Sequence, residues 1–137
     1  MTNQLELDVR AIGRMLYDLQ LAYIFKVPEE MKQTPCDFFG FTVNGRAILI
    51  ECKQVKRTYL PIGKEPGIAP HQWLALKQAH HCSSNALLIW RNGEETAMLK
   101  FSEIEPFKES RKSIPWAEIP KVTNLEQAMK EYFINYP

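Results

Sequence analysis

Two β-rich segments joined by Asn44-Gly45 constrain the fold of this chain more than any other feature. Residues 37–43 and 46–53 are rich in Phe, Ile and Val, and an Asn-Gly pair between two such runs is a strong signal for a β-hairpin. Residues two apart in a strand share a face, so Glu51 and Lys53 point to the same side of the sheet. The hairpin therefore predicts a sheet with a charged patch on one face and an apolar core on the other.

The register of this hairpin decides whether Asp37 joins the charged patch. A two-residue loop sets Asp37 opposite Cys52, on the apolar face. A three-residue loop over 43–45, with Gly45 left-handed, sets it opposite Glu51, where facing Cβ atoms lie about 4.5–5.5 Å apart. We predict the three-residue loop with Gly45 at positive φ. A bend in the strand near Asp37 would bring the same residues together.

The other elements follow from periodicity and turn residues. The first half of the chain predicts a helix over 3–20 capped by Thr2 or Asn3, a strand over 22–27, a loop over 28–35 and a long loop over 54–70. The second half predicts a helix from Pro70 to His81, a hairpin of 85–90 with 96–101, a short helix capped by Ser102, irregular or strand-like residues 111–120, and a last helix capped by Asn124. The order αβββαββ with a C-terminal helix predicts an α/β fold, a mixed β-sheet flanked by helices.

Composition limits the class of protein. The chain of 137 residues is long enough for one domain, 1–137, and its 45% hydrophobic and 24% charged residues are typical of a soluble globular protein. No apolar run is long enough to span a bilayer, and the N-terminus has no signal-peptide pattern. Three cysteines without a CxxC pair argue against a disulfide framework and a zinc site. We therefore expect a cytoplasmic protein. The net charge of +1 does not itself indicate nucleic acid.

The charged patch fits phosphodiester hydrolysis. Asp37 and Glu51 supply hard carboxylate oxygens, the ligands that Mg²⁺ prefers, with Mn²⁺ as a substitute. A bound metal would activate water and stabilise charge on phosphate, and Lys53 could hold the attacking water. Solvated charges at the ends of strands are the alternative interpretation of this triplet.

At this point the chain resembles the PD-(D/E)xK nuclease superfamily, which has a restriction-endonuclease-like core, and within it the RecU-type Holliday-junction resolvases. Two segments carry most of the resemblance, Cys36-Asp-Phe-Phe-Gly40 and Glu51-Cys-Lys53. Further matches in the same order are Leu5-Glu6, Ala22-x-Ile24-x-Lys26-x-Pro28, Leu60-Pro61, His71-Gln72 and Arg111-Lys-Ser-Ile114. The resemblance implies a magnesium-dependent endonuclease that acts in DNA recombination and repair.

The resemblance also implies roles for single residues. Asp37 and Glu51 match the metal ligands, with the Cys52 carbonyl as a third, and Lys53 matches the catalytic lysine. Gln72 matches a polar residue that supports the site. Glu6 matches an acidic residue that reaches the metal directly or through water. Glu6 as a charge in the first turn of a helix and Gln72 as a capping residue are the alternatives.

Cations near the catalytic strand are candidate DNA contacts. They are Lys56, Arg57 and Lys64 on the 54–70 loop, His71, and the pair Arg111 and Lys112. Contacts to phosphates read shape rather than sequence. Because a four-way junction offers two symmetrically related strands, paired nicks imply a homodimer.

The chain departs from the family in one respect. RecU-type enzymes carry a long stalk insertion before the catalytic Asp, whereas only eight residues separate Pro28 from Asp37 here. The expected function is thus a compact Holliday-junction resolvase. A less specific duplex or nicking endonuclease and a DNA-structure-binding accessory protein that does not cleave are the alternatives.

Overall fold

The computed structural model describes residues 3–28, 36–82 and 85–137. Four helices are α1 (Gln4–Asp18), α2 (Pro70–His81), α3 (Phe101–Ser110) and α4 (Leu125–Asn135). Seven strands are β1 (Ala22–Lys26), β2 (Phe38–Thr42), β3 (Ala47–Gln54), β4 (Tyr59–Pro61), β5 (Asn85–Asn92), β6 (Glu95–Lys100) and β7 (Ser113–Pro115). The predicted cap at Thr2 and most of the predicted 28–35 loop lie outside the described residues.

Five strands form a mixed sheet in the order β1-β2-β3-β5-β6. Strands β3 and β5 are parallel and are connected through α2, whereas the other neighbours are antiparallel. Parallel neighbours need a crossover connection of this kind. The predicted α/β architecture, a mixed sheet flanked by helices, is confirmed.

The β2–β3 hairpin has the predicted three-residue loop. Phe38 pairs with Ile50, and the Thr42 N–H donates to the Arg46 carbonyl at 2.8 Å. Gly45 has a φ of 79°, the left-handed value that glycine adopts without a steric penalty. The register therefore continues to Asp37 opposite Glu51.

Two apolar cores lie on opposite faces of the sheet. Alternation along β5 sends Leu87 and Ile89 into one core and Leu88 and Trp90 into the other. The first core is closed by α1 and α4, with Asn124 capping α4 as predicted through a bond from the Gln127 N–H at 3.0 Å. The second core is closed by α2, α3 and the strands β4 and β7.

Three predictions about single elements were wrong. The 54–70 segment is not a loop throughout, because it contains β4, which pairs with β7. Ser102 lies within α3, and the Glu103 side chain instead accepts a hydrogen bond from the Lys100 N–H at the start of that helix. The helix predicted over 3–20 is shorter, because α1 ends at Asp18 and the exposed Leu19 is its C-cap.

Each helix within the described ranges is too short or too polar to cross a membrane.

Candidate active site

Asp37 lies immediately before β2, where its side chain extends the hydrogen bonding of the hairpin. One carboxylate oxygen, Oδ2, accepts from the Cys52 N–H at 2.7 Å. The Asp37 N–H donates to the Ile50 carbonyl at 3.0 Å, and its carbonyl accepts from the Val27 N–H at 2.9 Å. Asp37 is thus fixed to the strands on both sides, and its second carboxylate oxygen, Oδ1, is a further acceptor.

Glu51 and Lys53 lie on the same face of β3, as their spacing predicts. The Glu51 side chain is 2% exposed and the Lys53 side chain 12%, and the Lys53 Nζ lies 3.7 Å from the Glu51 Oε1. Ile48, Ile50 and Cys52 point into the first core. The alternation along β3 therefore separates an apolar face from a charged one.

Gln72 connects the two charged side chains to the start of α2. Its Nε2 donates to the Glu51 Oε1 at 2.9 Å, and its Oε1 accepts from the Lys53 Nζ at 2.9 Å. The same Oε1 accepts from the Ala69 N–H at 2.9 Å, which makes Gln72 a helix cap as well. Gln72 therefore both contacts the Glu51–Lys53 pair and caps α2, so the two interpretations of this residue are compatible.

Burial raises the pKa of Glu51 well above its ordinary range, and the negative charge of Asp37 adds to this effect. The ammonium of Lys53 lowers it only in part, and Glu6 contributes a smaller rise. Burial together with Glu51 and Asp37 also raises the pKa of the Cys36 thiol to about 12. The site therefore concentrates negative charge where little water can screen it.

Glu6 reaches this region from α1. Asn3 caps the helix by accepting from the Glu6 N–H at 2.9 Å, and Gln54, the last residue of β3, accepts from the Leu5 N–H at 2.8 Å. Glu6 is 6% exposed and lines the same cleft as Asp37 and Glu51. The residue predicted to be an acidic neighbour of the site is therefore close to it.

These residues line one cleft of about 380 Å³. Predicted residues in its wall are Glu6, Asp37, Glu51, Cys52, Lys53 and Gln72. Residues that sequence reasoning missed are Asn3, Gln54, Val55, Glu65 and Pro66. Gln54 follows Lys53 directly, which is a weak signal, whereas nothing in the local pattern marks Glu65 or Pro66.

The candidate DNA contacts from the 54–70 loop lie in two places. Lys56 and Arg57 line a separate groove of about 400 Å³, where Asn92 accepts from the Arg57 N–H at 3.2 Å and donates to the Arg57 carbonyl at 2.5 Å. Lys64 is exposed beside Glu65, which lines the cleft. The structure therefore does not gather these three cations into one patch with the carboxylates.

The remaining candidate contacts are also dispersed. His71 is half-buried next to Gln72. Arg111 forms an ion pair with Glu118, so its guanidinium is partly committed within the protein. Lys112 is exposed, and its carbonyl accepts from the Ile62 N–H at 2.9 Å, at the start of the loop that carries Glu65.

No protein-family model matches the chain, and a search of curated proteins finds no match.

Proposed function

We propose that this chain is a metal-dependent endonuclease with a restriction-endonuclease-like core, and that it cleaves branched DNA. One observation carries the proposal: Asp37, Glu51 and Lys53 meet in a single cleft, with Gln72 joined to both members of the Glu51–Lys53 pair. Solvated charges at strand ends would not be buried to this degree, since Glu51 is 2% exposed.

The donor set of the cleft fits a hard divalent cation. Asp37 and Glu51 supply carboxylate oxygens, and Cys52, whose carbonyl is the expected third ligand, lines the same cleft. Burial of Glu51, together with the charge of the half-buried Asp37, raises the pKa of Glu51, and a cation between the two carboxylates would offset both effects. Across the described ranges, no three side chains of His, Cys, Asp and Glu form a metal-binding group.

When bound, Mg²⁺ would lower the pKa of a coordinated water and neutralise charge on the phosphate. The chain's own contribution is to place Lys53. An ammonium has three N–H donors, and one of these goes to the Gln72 Oε1. The other two can orient the attacking water and a phosphate oxygen in the cleft. Because Gln72 accepts one hydrogen bond from Lys53, the ammonium is not held by Glu51 alone.

Branched DNA as the substrate rests on the resemblance to RecU-type resolvases and on the positions of the cations. Lys56 and Arg57 flank one end of the catalytic strand, and Lys64 and Lys112 flank the loop near Glu65. Cations that are dispersed over the surface, rather than gathered beside the carboxylates, can contact DNA arms that diverge from the scissile phosphate. Such contacts go to phosphates, and they position DNA without reading its sequence.

The test is cleavage of a labelled four-way junction beside a matched duplex, with Mg²⁺ or Mn²⁺. Wild type would be compared with Asp37→Asn and Lys53→Ala, and with Lys77→Ala on the exposed side of α2 as a control. We expect paired symmetric nicks in the junction with wild type and the control, and none with the two cleft variants.

Two other results would contradict the proposed function. Equal cleavage of the duplex would support a less specific endonuclease and refute junction resolution. Junction binding without any cleavage by wild type would refute the nuclease and support an accessory protein that recognises DNA structure.

A further inference from the structure

Five aromatic side chains, four of them exposed and one half-buried, form a continuous surface on β1, β2 and the end of α1. This aromatic face consists of Tyr17, Tyr23, Phe25, Phe39 and Phe41. Each ring contacts the next, with centroids 5.8, 5.7, 5.8 and 5.5 Å apart along the series. Aromatic pairs at such distances stabilise one another, so the face is an ordered surface.

The pairing of β1 with β2 brings four of these rings to one side of the sheet, and Tyr17 reaches Tyr23 from the end of α1. Tyr23 pairs with Phe41, and Phe25 pairs with Phe39, and directly opposite residues in antiparallel strands share a face. Gly13 of α1 lies against Ile24, on the other side of β1. Helix α1 therefore covers the side of β1 that faces away from the rings.

The exposed area of the aromatic face matches that of the largest apolar patches on monomeric proteins. Tyr17 is 62% exposed, Tyr23 51%, Phe41 44% and Phe25 40%. For side chains of roughly 200 Å² each, the exposed apolar area is on the order of 400 Å². This lies within the range of about 300–600 Å² found for the largest patch on a typical monomer, which is often functional.

We propose that the aromatic face is a homodimer interface, on which a second copy of this chain packs through the same residues. A stable interface buries about 800 Å² from each partner, with an apolar centre and a polar rim, and the aromatic face is large enough to be that centre. Polar residues surround it, since Asp18, Gln20 and Thr42 line a groove of about 450 Å³ with Tyr23 and Phe41.

The charge of the aromatic face favours a protein as its binding partner over nucleic acid. Its five side chains are uncharged, and Asp18, which lines a groove together with Tyr23 and Phe41, would repel phosphates. Binding to nucleic acid needs cations along the backbone. A face that packs on its own copy satisfies the symmetry of a two-fold dimer with one set of residues.

The aromatic face lies on the same side of the sheet as the cleft. Phe39 pairs with Leu49, and Leu49, Glu51 and Lys53 alternate along one face of β3. Each cleft would thus border the dimer interface, which gives one assembly two sites for paired nicks. This functional meaning rests on the proposed function, whereas the interface rests on the aromatic face alone.

Sedimentation equilibrium of the full chain tests the interface. We expect wild type to be a dimer, and Phe41→Glu to raise the dimer Kd by at least about thirtyfold, as charging a central aromatic anchor does. Ile134→Glu on α4, 53% exposed in wild type, is the matched control and should dimerise as wild type does. Thermal denaturation shows whether each variant folds, and Tyr17→Glu at the end of α1 replaces Phe41→Glu if that variant does not fold.

Three results would overturn the proposal. They are a wild type that stays monomeric at all concentrations, a dimer that survives both aromatic substitutions, and a dimer that only Ile134→Glu dissociates. Loss of junction binding in Phe41→Glu with an intact dimer would assign the face to nucleic acid instead. Asp37→Asn should dimerise normally, so failure of the nuclease and failure of the interface are distinguishable.

Discussion

Replacing Glu51 by glutamine should stabilise the metal-free protein while abolishing its activity. Glu51 is 2% exposed, and the two effects that disfavour its negative charge most, burial and the charge of Asp37, outweigh the attraction to Lys53. The amide oxygen of glutamine can still accept from the Gln72 Nε2, which lies 2.9 Å from the carboxylate. The substitution therefore removes a buried charge and keeps the hydrogen bond.

The expected gain at neutral pH is about 1–3 kcal/mol. A buried carboxyl that stays protonated in the folded state loses about 1.4 kcal/mol of stability for each pH unit above its ordinary pKa of 4.5. This sets an upper limit of roughly 3 kcal/mol at pH 7, and the lost attraction to Lys53 at 3.7 Å reduces the gain. For a chain of this size, each kcal/mol shifts the melting temperature by roughly 3–5 °C. The measurement is thermal denaturation of wild type and Glu51→Gln in the presence of a chelator.

The gain should depend on pH in a defined direction. Below the ordinary pKa of 4.5, Glu51 is protonated in both the folded and the unfolded state, so the two proteins should differ little. Above it, the unfolded wild type loses the proton while the folded state retains it, and wild-type stability falls as the pH rises towards the raised folded pKa. The advantage of Glu51→Gln should therefore appear only above about pH 4.5.

Two comparisons make this prediction refutable. Glu109→Gln on the exposed surface of α3 should leave the melting temperature nearly unchanged at every pH. Adding Mg²⁺ should stabilise wild type, because a ligand that binds only the folded state raises its stability, and should have little effect on Glu51→Gln. A Glu51→Gln protein that is less stable than wild type at pH 7 would show that the buried carboxylate is well accommodated, and the electrostatic reasoning would be wrong.

Three further predictions concern Lys53, Gln72 and Gly40. Lys53→Ala should abolish cleavage but keep the Mg²⁺-dependent rise in melting temperature; loss of that rise would place Lys53 in metal binding. Gln72→Ala should cost about 2–4 kcal/mol in the free energy of unfolding, because it removes bonds to two charged groups and a helix cap, and a denaturant titration that shows under 1 kcal/mol would contradict this. Gly40→Ala should lower the free energy of unfolding by about 2 kcal/mol or more, since a Cβ there would lie 1.9 Å from the Tyr23 carbonyl oxygen. As a comparison, a Cβ at Gly93 meets no atom within 4 Å, but the φ of 68° at this position means that Gly93→Ala should lower the free energy of unfolding by about 1–2 kcal/mol.

The register of the β2–β3 hairpin could be predicted because only two arrangements of Asp37 had to be distinguished. Side chains alternate with a period of two, so Asp37 shares a face either with Glu51 or with Cys52. The left-handed conformation that Gly45 allows selects the longer loop. Local chemistry was enough here because both strands lie close together in the sequence.

The small sheet of β4 and β7 could not be predicted in this way. Each strand has three residues, and Leu60 pairs with Ile114 across more than fifty positions of sequence. A run of three residues shows no periodicity, and the prolines of the 54–70 segment favour a loop. Tertiary packing of Leu60 and Ile114 in the second core decides the outcome, because both are completely buried.

Gln72 could be recognised as a site residue only through the resemblance. As the third residue of α2, it is an ordinary position for a capping side chain. The contact with Lys53 arises because α2 crosses from β3 to β5 and brings its first turn over the end of β3. A glutamate at this position would place a third carboxylate against Glu51, whereas the amide donates to Glu51 and accepts from Lys53.

The location of the cleft follows from how the second face of the sheet is divided. Helices α2 and α3 cover that face over β5 and β6. Over β1 and β2 no helix covers it within the described residues, and the rings of Tyr23, Phe25 and Phe41 are exposed there. Strand β3 lies at the boundary, so Glu51 is enclosed enough to be almost inaccessible, while the neighbouring cleft stays open to solvent. A carboxylate at that boundary keeps a raised pKa and yet remains within reach of a cation or a phosphate from outside. For this reason, an enclosed site and an open binding surface can occupy the same face of one sheet.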